Sequence, residues 1–441
     1  MFLKSIINYF SGRTREKSER FIRAAYFGLL HRLPETTSLE AQTIKIMNGA
    51  NYYEIIESII KSSEFMRNLP PSELNSFFEA TNASTHQSDT KSLSFSGSLE
   101  KVSPQNLVYF CPAISAPLGG VKVIARHSEI INRTRPNKLR SELFFPENHK
   151  FNLDWFQNDI ETRTTAQFNR EADVIILPEV WVLKYGSTLI DNGIKYAIFI
   201  QNGYYIFDEV YRGHQPSLIM LKKIYENASF ILSISEDTSL CIELAFNVPR
   251  NRIFKVKPSV NSAIFKHRPG SKKNIITYMP RKLPQHSNWI INQLSLKLNT
   301  DWEIIPIEDA NENAVAEMLS ISKIFLSFSD REGFSIPPLE AIFSGNSVIG
   351  YTGEGAKEYW NPILFKEVSH GNMRDFLEKI LTEVKLLSNQ EFLDIDPMAK
   401  IKTLDLLRTN YSLEQEATCL SDTLDTIMLS KLIESDVRAE Q

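Results

Sequence analysis

The chain carries two acidic residues on either side of a short loop, in the stretch Arg331-Glu332-Gly333-Phe334-Ser335-Ile336-Pro337-Pro338-Leu339-Glu340-Ala341. The apolar run Ile324–Phe328 comes directly before it and is typical of a buried strand. Pro337 and Pro338 suit the first turn of a helix, where a missing N–H costs nothing. The order of strand, loop and helix therefore predicts backbone N–H groups and a positive helix end that face an anion such as phosphate.

The spacing of Glu332 and Glu340, with Gly-Phe after the first acid and Pro-x-Glu-Ala around the second, resembles the donor-site motif of the retaining glycosyltransferase family with the GT-B fold. The resemblance implies that Glu340 holds the ribose of a nucleotide sugar. It also implies that Glu332, with the loop Gly333-Phe334-Ser335, binds the donor sugar, and that transfer retains the anomeric configuration. The alternative is an ordinary helix in which Glu340 only complements the helix dipole.

Composition limits the classes of function that remain. The 441 residues suffice for two or three domains, and a formal net charge of −4 gives no indication of nucleic-acid binding. No apolar run approaches the ~18–20 residues that span a bilayer, and the start lacks the features of a signal peptide. Cys111, Cys241 and Cys419 are scattered, which favours a reducing cytoplasm over a disulfide framework.

We expect no metal site and no cofactor besides the nucleotide-sugar substrate. The histidines lack metal-ligand spacing, and Asp394-Ile395-Asp396 lies far in sequence from the predicted donor loop, which favours a solvated turn.

Residues 1–75 are predicted to form an all-helical module, because Phe21, Ala24, Ala25 and Leu29 recur at helical spacing. The module resembles a small helical domain similar to phycobilisome-linker repeats. The matching residues are Tyr26, Leu29-Leu30, Arg32, Pro34, Leu39, Gly49 and Ser63-Glu64-Phe65, with departures at His31, Glu35 and Ser38. The resemblance implies docking or scaffolding. The basic residues of the first helix also suggest peripheral contact with an anionic inner membrane leaflet, with a solvated face as the alternative.

Residues 76–104 are polar and are predicted to be a flexible linker. Beyond them, short apolar runs alternate with amphipathic stretches, which favours parallel sheets covered by helices. Ten runs are predicted strands: Leu107–Phe110, Val174–Leu177, Tyr196–Ile200, Phe230–Ile234, Ile253–Val256, Ile275–Met279, Trp302–Ile307, Ile324–Phe328, Val348–Tyr351 and Ile363–Phe365. The prediction is an α/β fold with two Rossmann-like domains, an acceptor domain at 105–262 and a donor domain at 263–410, facing a cleft. The resemblance implies that a final helix, 411–441, returns to the acceptor domain.

Positive charge for a diphosphate is expected from Arg281 and Lys282, which follow the strand ending at Met279. A guanidinium forms paired bonds to phosphate and an ammonium acts as a point charge. The run Met-Pro-Arg-Lys also resembles a branch of bacterial surface-polysaccharide glycosyltransferases that is similar to rhamnosyltransferases. A solvated loop is the alternative.

Further candidates lie at predicted strand ends and helix starts. Gly119 and Gly120 allow a close approach of backbone to donor phosphates, with a plain turn as the alternative. Ser235 is expected at the start of a helix that faces the donor. Glu179 and Asn202 are expected to orient acceptor hydroxyls, and a structural turn at Asn202-Gly203 is the alternative.

The sequence therefore predicts a cytoplasmic glycosyltransferase that moves a sugar from a nucleotide diphosphate to a glycan or lipid-linked acceptor in surface polysaccharide synthesis. In this prediction Arg281, Lys282 and Glu332 carry the catalytic charge. Two alternatives stay open: a non-catalytic binding or scaffold protein of the same fold, and a nucleotide-sugar epimerase.

Overall fold

The computed structural model describes residues 15, 18–19, 21–23, 26, 34–47, 55, 59, 93–97, 106–115, 118–135, 139–156, 158–208, 210, 214–389 and 396–439. The chain forms two compact units. One comprises Met1–Asp89 with Val210–His214, and the other comprises Thr90–Glu209 with Gln215–Gln441.

In the first unit the structure describes one continuous helix, α1, Thr36–Met47. Phe21, Ile22, Ile55 and Ile59 are also helical and buried, which agrees with the helical module predicted for residues 1–75. Several residues that carry the resemblance to linker repeats lie outside the described residues, namely Leu29-Leu30, His31, Arg32, Gly49 and Ser63-Glu64-Phe65.

The second unit contains two parallel sheets. The first is seven-stranded, in the order β4-β3-β2-β6-β7-β8-β9. Its strands are β2 Asn106–Phe110, β3 Arg140–Phe144, β4 Thr162–Arg163, β6 Asp173–Pro178, β7 Lys195–Ile200, β8 Ile231–Ser233 and β9 Ile253–Lys255. The four central strands are almost wholly buried because helices cover both faces, as their continuous apolar runs predict.

The second sheet is five-stranded, in the order β11-β10-β12-β13-β14. Its strands are β10 Lys273–Tyr278, β11 Glu303–Pro306, β12 Ser322–Glu332, β13 Ser347–Glu354 and β14 Phe365–Glu367. All ten predicted runs coincide with strands at least in part, and the run Ile363–Phe365 shares only Phe365 with β14.

The predicted linker 76–104 contains a strand that the sequence did not predict. Residues Ser94–Ser96 form β1 and pair in parallel with β5, Gln167–Asn169. Phe95 packs on Phe168 with ring centroids 6.1 Å apart, and the N–H of Ser94 donates to the carbonyl of Ala166 at 2.8 Å. One aromatic contact and a short ladder therefore hold Ser94–Ser96 in place, and the predicted linker apart from residues 93–97 lies outside the described residues.

The second unit also contains α-helices, which are numbered in chain order. They are α2 Gly119–Thr134, α3 Val182–Asp191, α4 Gln215–Asn227, α5 Glu236–Ala245, α6 Pro284–Lys297, α7 Glu312–Ile321, α8 Pro337–Phe343, α9 Met373–Asn389, α10 Pro397–Asn410 and α11 Leu413–Ala439. Asp396, one of the paired acids, caps α10 by accepting from the N–H of Met398 at 2.9 Å. Within the described ranges, no helix combines the length and apolar character that crossing a bilayer requires.

The last helix, α11, packs against α2 of the first sheet's domain. The Arg126 guanidinium lies 3.0 Å from the buried carboxylate of Glu416, and Arg135 lies 2.7 Å from Asp425. Ser412 caps the helix by accepting from the N–H of Gln415 at 3.1 Å. The chain thus returns to the domain in which the first sheet lies.

Candidate functional site

A cavity of about 590 Å³ lies between the two sheets, at the carboxyl ends of their strands. Parallel α/β sheets bind ligands at this edge. Ten of the predicted site residues line the cavity: Gly119, Gly120, Glu179, Asn202, Arg281, Lys282, Glu332, Phe334, Ser335 and Glu340. The structure therefore brings together residues that lie more than 200 positions apart in the sequence.

Lys282 and Glu332 form the charged centre of this cavity. The ammonium lies 3.0 Å from the Glu332 carboxylate and donates to the Tyr205 hydroxyl at 3.2 Å. Burial lowers the pKa of Lys282, but Glu332 and Tyr205 outweigh it, so that the pKa is raised above its ordinary value. Lys282 therefore carries a fixed positive charge. Arg281 is exposed on the same wall, and within the described residues no carboxylate lies in ion-pair contact with it.

Gly333 belongs to the domain of the five-stranded sheet (the carboxyl-terminal domain) and lies against the domain of the seven-stranded sheet (the amino-terminal domain). A Cβ atom at this position would come within 2.1 Å of the Gln201 carbonyl oxygen and 2.7 Å of the Cα of Asn202. Real Cβ atoms do not approach backbone so closely. The loop after Glu332 therefore needs glycine because two domains meet there.

Phe334 and Ser335, predicted to bind the donor, line the cavity, but their side chains make contacts with other side chains of the protein. The ring of Phe334 packs on Tyr359 and Tyr411 at 5.2 and 5.4 Å between centroids. The Ser335 hydroxyl forms a 2.7 Å hydrogen bond with that of Ser329. Both residues therefore shape the wall and stabilise the loop.

The start of α8 offers fewer N–H groups than the sequence predicted. Pro337 and Pro338 have no backbone N–H, and those of Leu339 and Glu340 donate to the Ile336 carbonyl at 2.9 and 3.2 Å. The helix has only seven residues. Positive charge at this site therefore comes chiefly from side chains, and the expected contribution of the helix end was overestimated.

Glu340 lies on the cavity wall and is half-buried. Burial and, to a smaller extent, nearby Glu312 raise the pKa of its carboxyl to about 7, against the lowering effect of Lys122 and Arg126. A carboxyl group at this value takes either protonation state near neutral pH. It accepts hydrogen bonds from hydroxyl groups when it is ionised.

Glu179 and Asn202 form one buried unit at the ends of β6 and β7. The Glu179 carboxylate accepts from the N–H of Asn202 at 3.0 Å. The Asn202 side chain donates to the Arg331 carbonyl at 2.8 Å and accepts from the N–H of Tyr204 at 3.0 Å. Asn202 therefore caps the short helical turn Gly203–Tyr205 and bridges the two domains, which matches the structural alternative.

Burial also raises the pKa of Glu179 to about 7, against the opposing effect of three backbone N–H groups. The folded protein thus binds this proton more tightly than the unfolded chain, whose ordinary value is 4.5. The contribution of Glu179 to the free energy of unfolding therefore falls as pH rises from about 4.5 to about 7, and levels off above that.

We expect Glu179→Gln to flatten this dependence, because glutamine keeps the oxygen that accepts from Asn202 and cannot ionise. The slope should decrease by up to about 1.4 kcal/mol per pH unit between pH 5 and 7. Urea unfolding at several pH values measures it. Glu243→Gln, which alters a carboxylate paired with Arg250 outside the cavity lining, is the matched control and should keep the wild-type slope. Equal slopes in all three proteins would contradict the assignment.

The two glycines at the start of α2 differ in their surroundings. A Cβ atom on Gly119 would meet nothing within 4 Å, so this backbone faces open space in the cavity. Gly120 accepts a hydrogen bond from the Gln201 side chain at 3.1 Å. Gly119 is thus the position where a ligand can approach the backbone.

Ser235, predicted to bind the donor, lies outside the cavity lining. It begins α5, as expected, and its hydroxyl accepts from the N–H of Thr238 at 3.1 Å. The serine therefore has a capping role, because the hydroxyl is used within its own helix.

Other residues on the cavity wall were not predicted, among them Lys122, Arg126, Trp155 and Glu312. Lys122 and Arg126 lie on α2, one and two turns after the glycine pair, and helical spacing from Gly119 is the signal that points to them. Trp155 lies on an irregular loop, and Glu312 begins α7; no local pattern marks either of them. Among the described residues, no cluster of histidine, cysteine and acidic side chains has the geometry to hold a metal ion.

Solved structures of similar fold include HepE (Alr3699) from Anabaena in complex with UDP and glucose. It has a TM-score of 0.53 and 11% identity, over 73% of this chain and 100% of that one. The complex of HepE with UDP-glucose gives a TM-score of 0.51 and 11% identity, over 73% and 99%. A glycosyltransferase from Rickettsia africae ESF-5 gives 0.52 and 14%, over 74% and 99%.

These likenesses establish the fold. The chain is an α/β protein with the GT-B fold, as the sequence predicted, with its two parallel sheets on either side of a cleft. No protein-family model matches the chain, and no curated protein matches its sequence.

Proposed function

We propose that the protein is a glycosyltransferase that uses a nucleoside-diphosphate sugar as donor and a glycan or lipid-linked acceptor. The observation that carries this proposal is the convergence of two cations and two carboxylates on one cleft. Arg281 and Lys282 face it together with Glu332 and Glu340. The binding of UDP and UDP-glucose by HepE, which has a similar fold, supports a donor of this class.

The reaction explains why the cleft needs fixed positive charge. When the bond between the anomeric carbon and the diphosphate breaks, the sugar gains positive charge and the departing phosphate gains negative charge. Stabilising such developing charge is usually the largest catalytic contribution. In the proposed site, Lys282 and Arg281 bind the diphosphate, Glu332 lies at the sugar, and Glu340 accepts from the ribose hydroxyls.

Contacts across the cleft support the exclusion of water during transfer. Asn202 donates to the Arg331 carbonyl at 2.8 Å, and Lys282 donates to Tyr205 of the opposite domain. The N–H of Glu236 donates to the Glu358 carboxylate at 2.9 Å. A closed cleft favours transfer to the acceptor over hydrolysis of the donor.

The finer features of the proposal rest on the sequence resemblance: retention of configuration, a role in surface polysaccharide synthesis, and docking through residues 1–75. The three free thiols support a reducing compartment, and we place the activity in the cytoplasm. Proton NMR of the first product formed would distinguish retention from inversion.

Titration calorimetry with a panel of nucleoside diphosphates and their sugars tests the donor class, and product analysis with and without glycan acceptors tests transfer. We expect Glu340→Ala to weaken binding of the preferred nucleotide by about tenfold, the cost of losing hydrogen bonds to a charged acceptor. Glu303→Ala, an exposed acid on β11 outside the cavity lining, is the matched control. Tight binding without transfer or hydrolysis would favour a binding protein, and a new sugar formed without acceptor would favour an epimerase.

A further inference from the structure

An ion pair on the cavity wall spans the cleft. The Lys122 ammonium, on α2 of the amino-terminal domain, contacts the Glu312 carboxylate on the first turn of α7 in the carboxyl-terminal domain. Both side chains line the cavity, and they keep 20% and 29% of their surface exposed. They are therefore accessible to a ligand, whereas the carboxylate of Glu416, which pairs with Arg126 and holds α11 in place, is buried.

Part of the cavity lining is apolar. Met279, Ala310 and Val315 line the same cavity and pack on the hydrophobic core. The charges of Lys122 and Glu312 both act on the Glu340 carboxyl, which places the pair close to that residue. A flat aromatic ring fits between apolar walls, and a charged pair at their edge provides a donor and an acceptor.

We infer that Lys122 and Glu312 bind the nucleobase of the donor and select guanine. The inference rests on the proposed function, in which Glu340 binds the ribose, because the base is the group attached directly to that ribose. A guanine ring presents a carbonyl oxygen, a ring N–H and an amino group along one edge. The carbonyl accepts from the Lys122 ammonium, and the two N–H donors bind the two oxygens of the Glu312 carboxylate.

Other bases match this pair less well. Uracil and thymine have a single N–H between two carbonyl oxygens, so the second carbonyl oxygen would face a carboxylate oxygen and repel it. Adenine presents an unprotonated ring nitrogen where guanine has a donor. A site built to bind a donor rejects a ligand that lacks it, because the ligand then removes water from the acceptor without replacing its hydrogen bond.

Calorimetric titration of the full chain with GDP, UDP, dTDP and ADP tests the inference. We expect wild-type protein to bind GDP about tenfold or more tightly than the other three. Glu312→Gln should lose about tenfold in affinity for GDP and change little for UDP, because glutamine replaces one acceptor oxygen by a donor. Glu243→Gln removes one charge of a pair outside the cavity and should leave all four affinities unchanged.

The alternative outcomes separate two failures. Tighter binding of UDP than of GDP by wild-type protein would overturn the selection of guanine and leave the proposed function intact; this ranking needs no variant. If Glu312→Gln lowered the affinity for all four nucleotides equally, the ion pair would only hold the two domains together. Absence of binding by any of the four would overturn the proposed function itself.

Discussion

Gly333→Ala is expected to lower transfer by about a hundredfold, since small displacements of a catalytic loop have costs of this order. The added methyl group would lie 2.1 Å from the Gln201 carbonyl oxygen, and backbone cannot move aside as a flexible side chain does. The two domains would have to separate locally to make room. Separation moves Glu332 away from the amino-terminal domain and lets water into the cleft.

Activity with the donor identified by the nucleotide panel, together with a thermal melt, checks this result. The variant should keep a cooperative melt, because Gly333 lies at a domain boundary and outside both cores. Gly119→Ala is the matched control for folding, since its methyl group would meet no atom within 4 Å. Wild-type activity in Gly333→Ala would show that the closed arrangement is not needed for transfer.

Lys282→Met is the second large effect that we expect. Removing the ammonium takes away a charge–phosphate bond, worth about 1.5–3 kcal/mol, or a loss of tenfold or more in nucleoside-diphosphate affinity. It also leaves the Glu332 carboxylate, 3.0 Å away, without its partner and beside an anionic ligand. Arg281→Ala should cost a similar amount if both parallel N–H bonds to phosphate form.

The affinity of GDP and UDP for each variant, measured by titration, tests this assignment. Lys379→Met is the matched control, because Lys379 also pairs with a carboxylate, Asp375 at 2.8 Å, but lies outside the cavity lining. If both Lys282→Met and Arg281→Ala kept the wild-type affinity, the diphosphate would not bind in this part of the cleft.

The strands that could be predicted from sequence are those whose side chains are buried on both faces. Val174–Leu177 and Ile324–Phe328 are continuous apolar runs for this reason. The strand Arg140–Phe144 was missed because it lies near the sheet edge and its first three residues are polar. The strand Ser94–Ser96 was missed because a single aromatic contact orders it.

The site was predictable where its residues end a strand, as Glu332 does, or follow one within a few positions, as Arg281 and Lys282 do. The partners of those residues were not predictable, because sequence spacing carries no information about the opposite domain. Tyr205 beside Lys282 and Glu312 beside Lys122 come together only through the packing of two separate sheets. Ser235 caps helix α5, and Asn202 bridges the two domains. The sequence analysis predicted that both side chains bind ligands.

The return of the last helix has a consequence for how the protein is made. Arg126 and Arg135 belong to a domain synthesised early, yet their partners Glu416 and Asp425 emerge from the ribosome some 290 residues later. Until these residues are synthesised, the two guanidinium groups have no carboxylate partner from α11, and the face of α2 that packs on α11 stays exposed. Of the two domains that contain a parallel sheet, the one synthesised first is therefore completed last. A nascent chain stalled before residue 413 exposes a surface that can bind chaperones or aggregate.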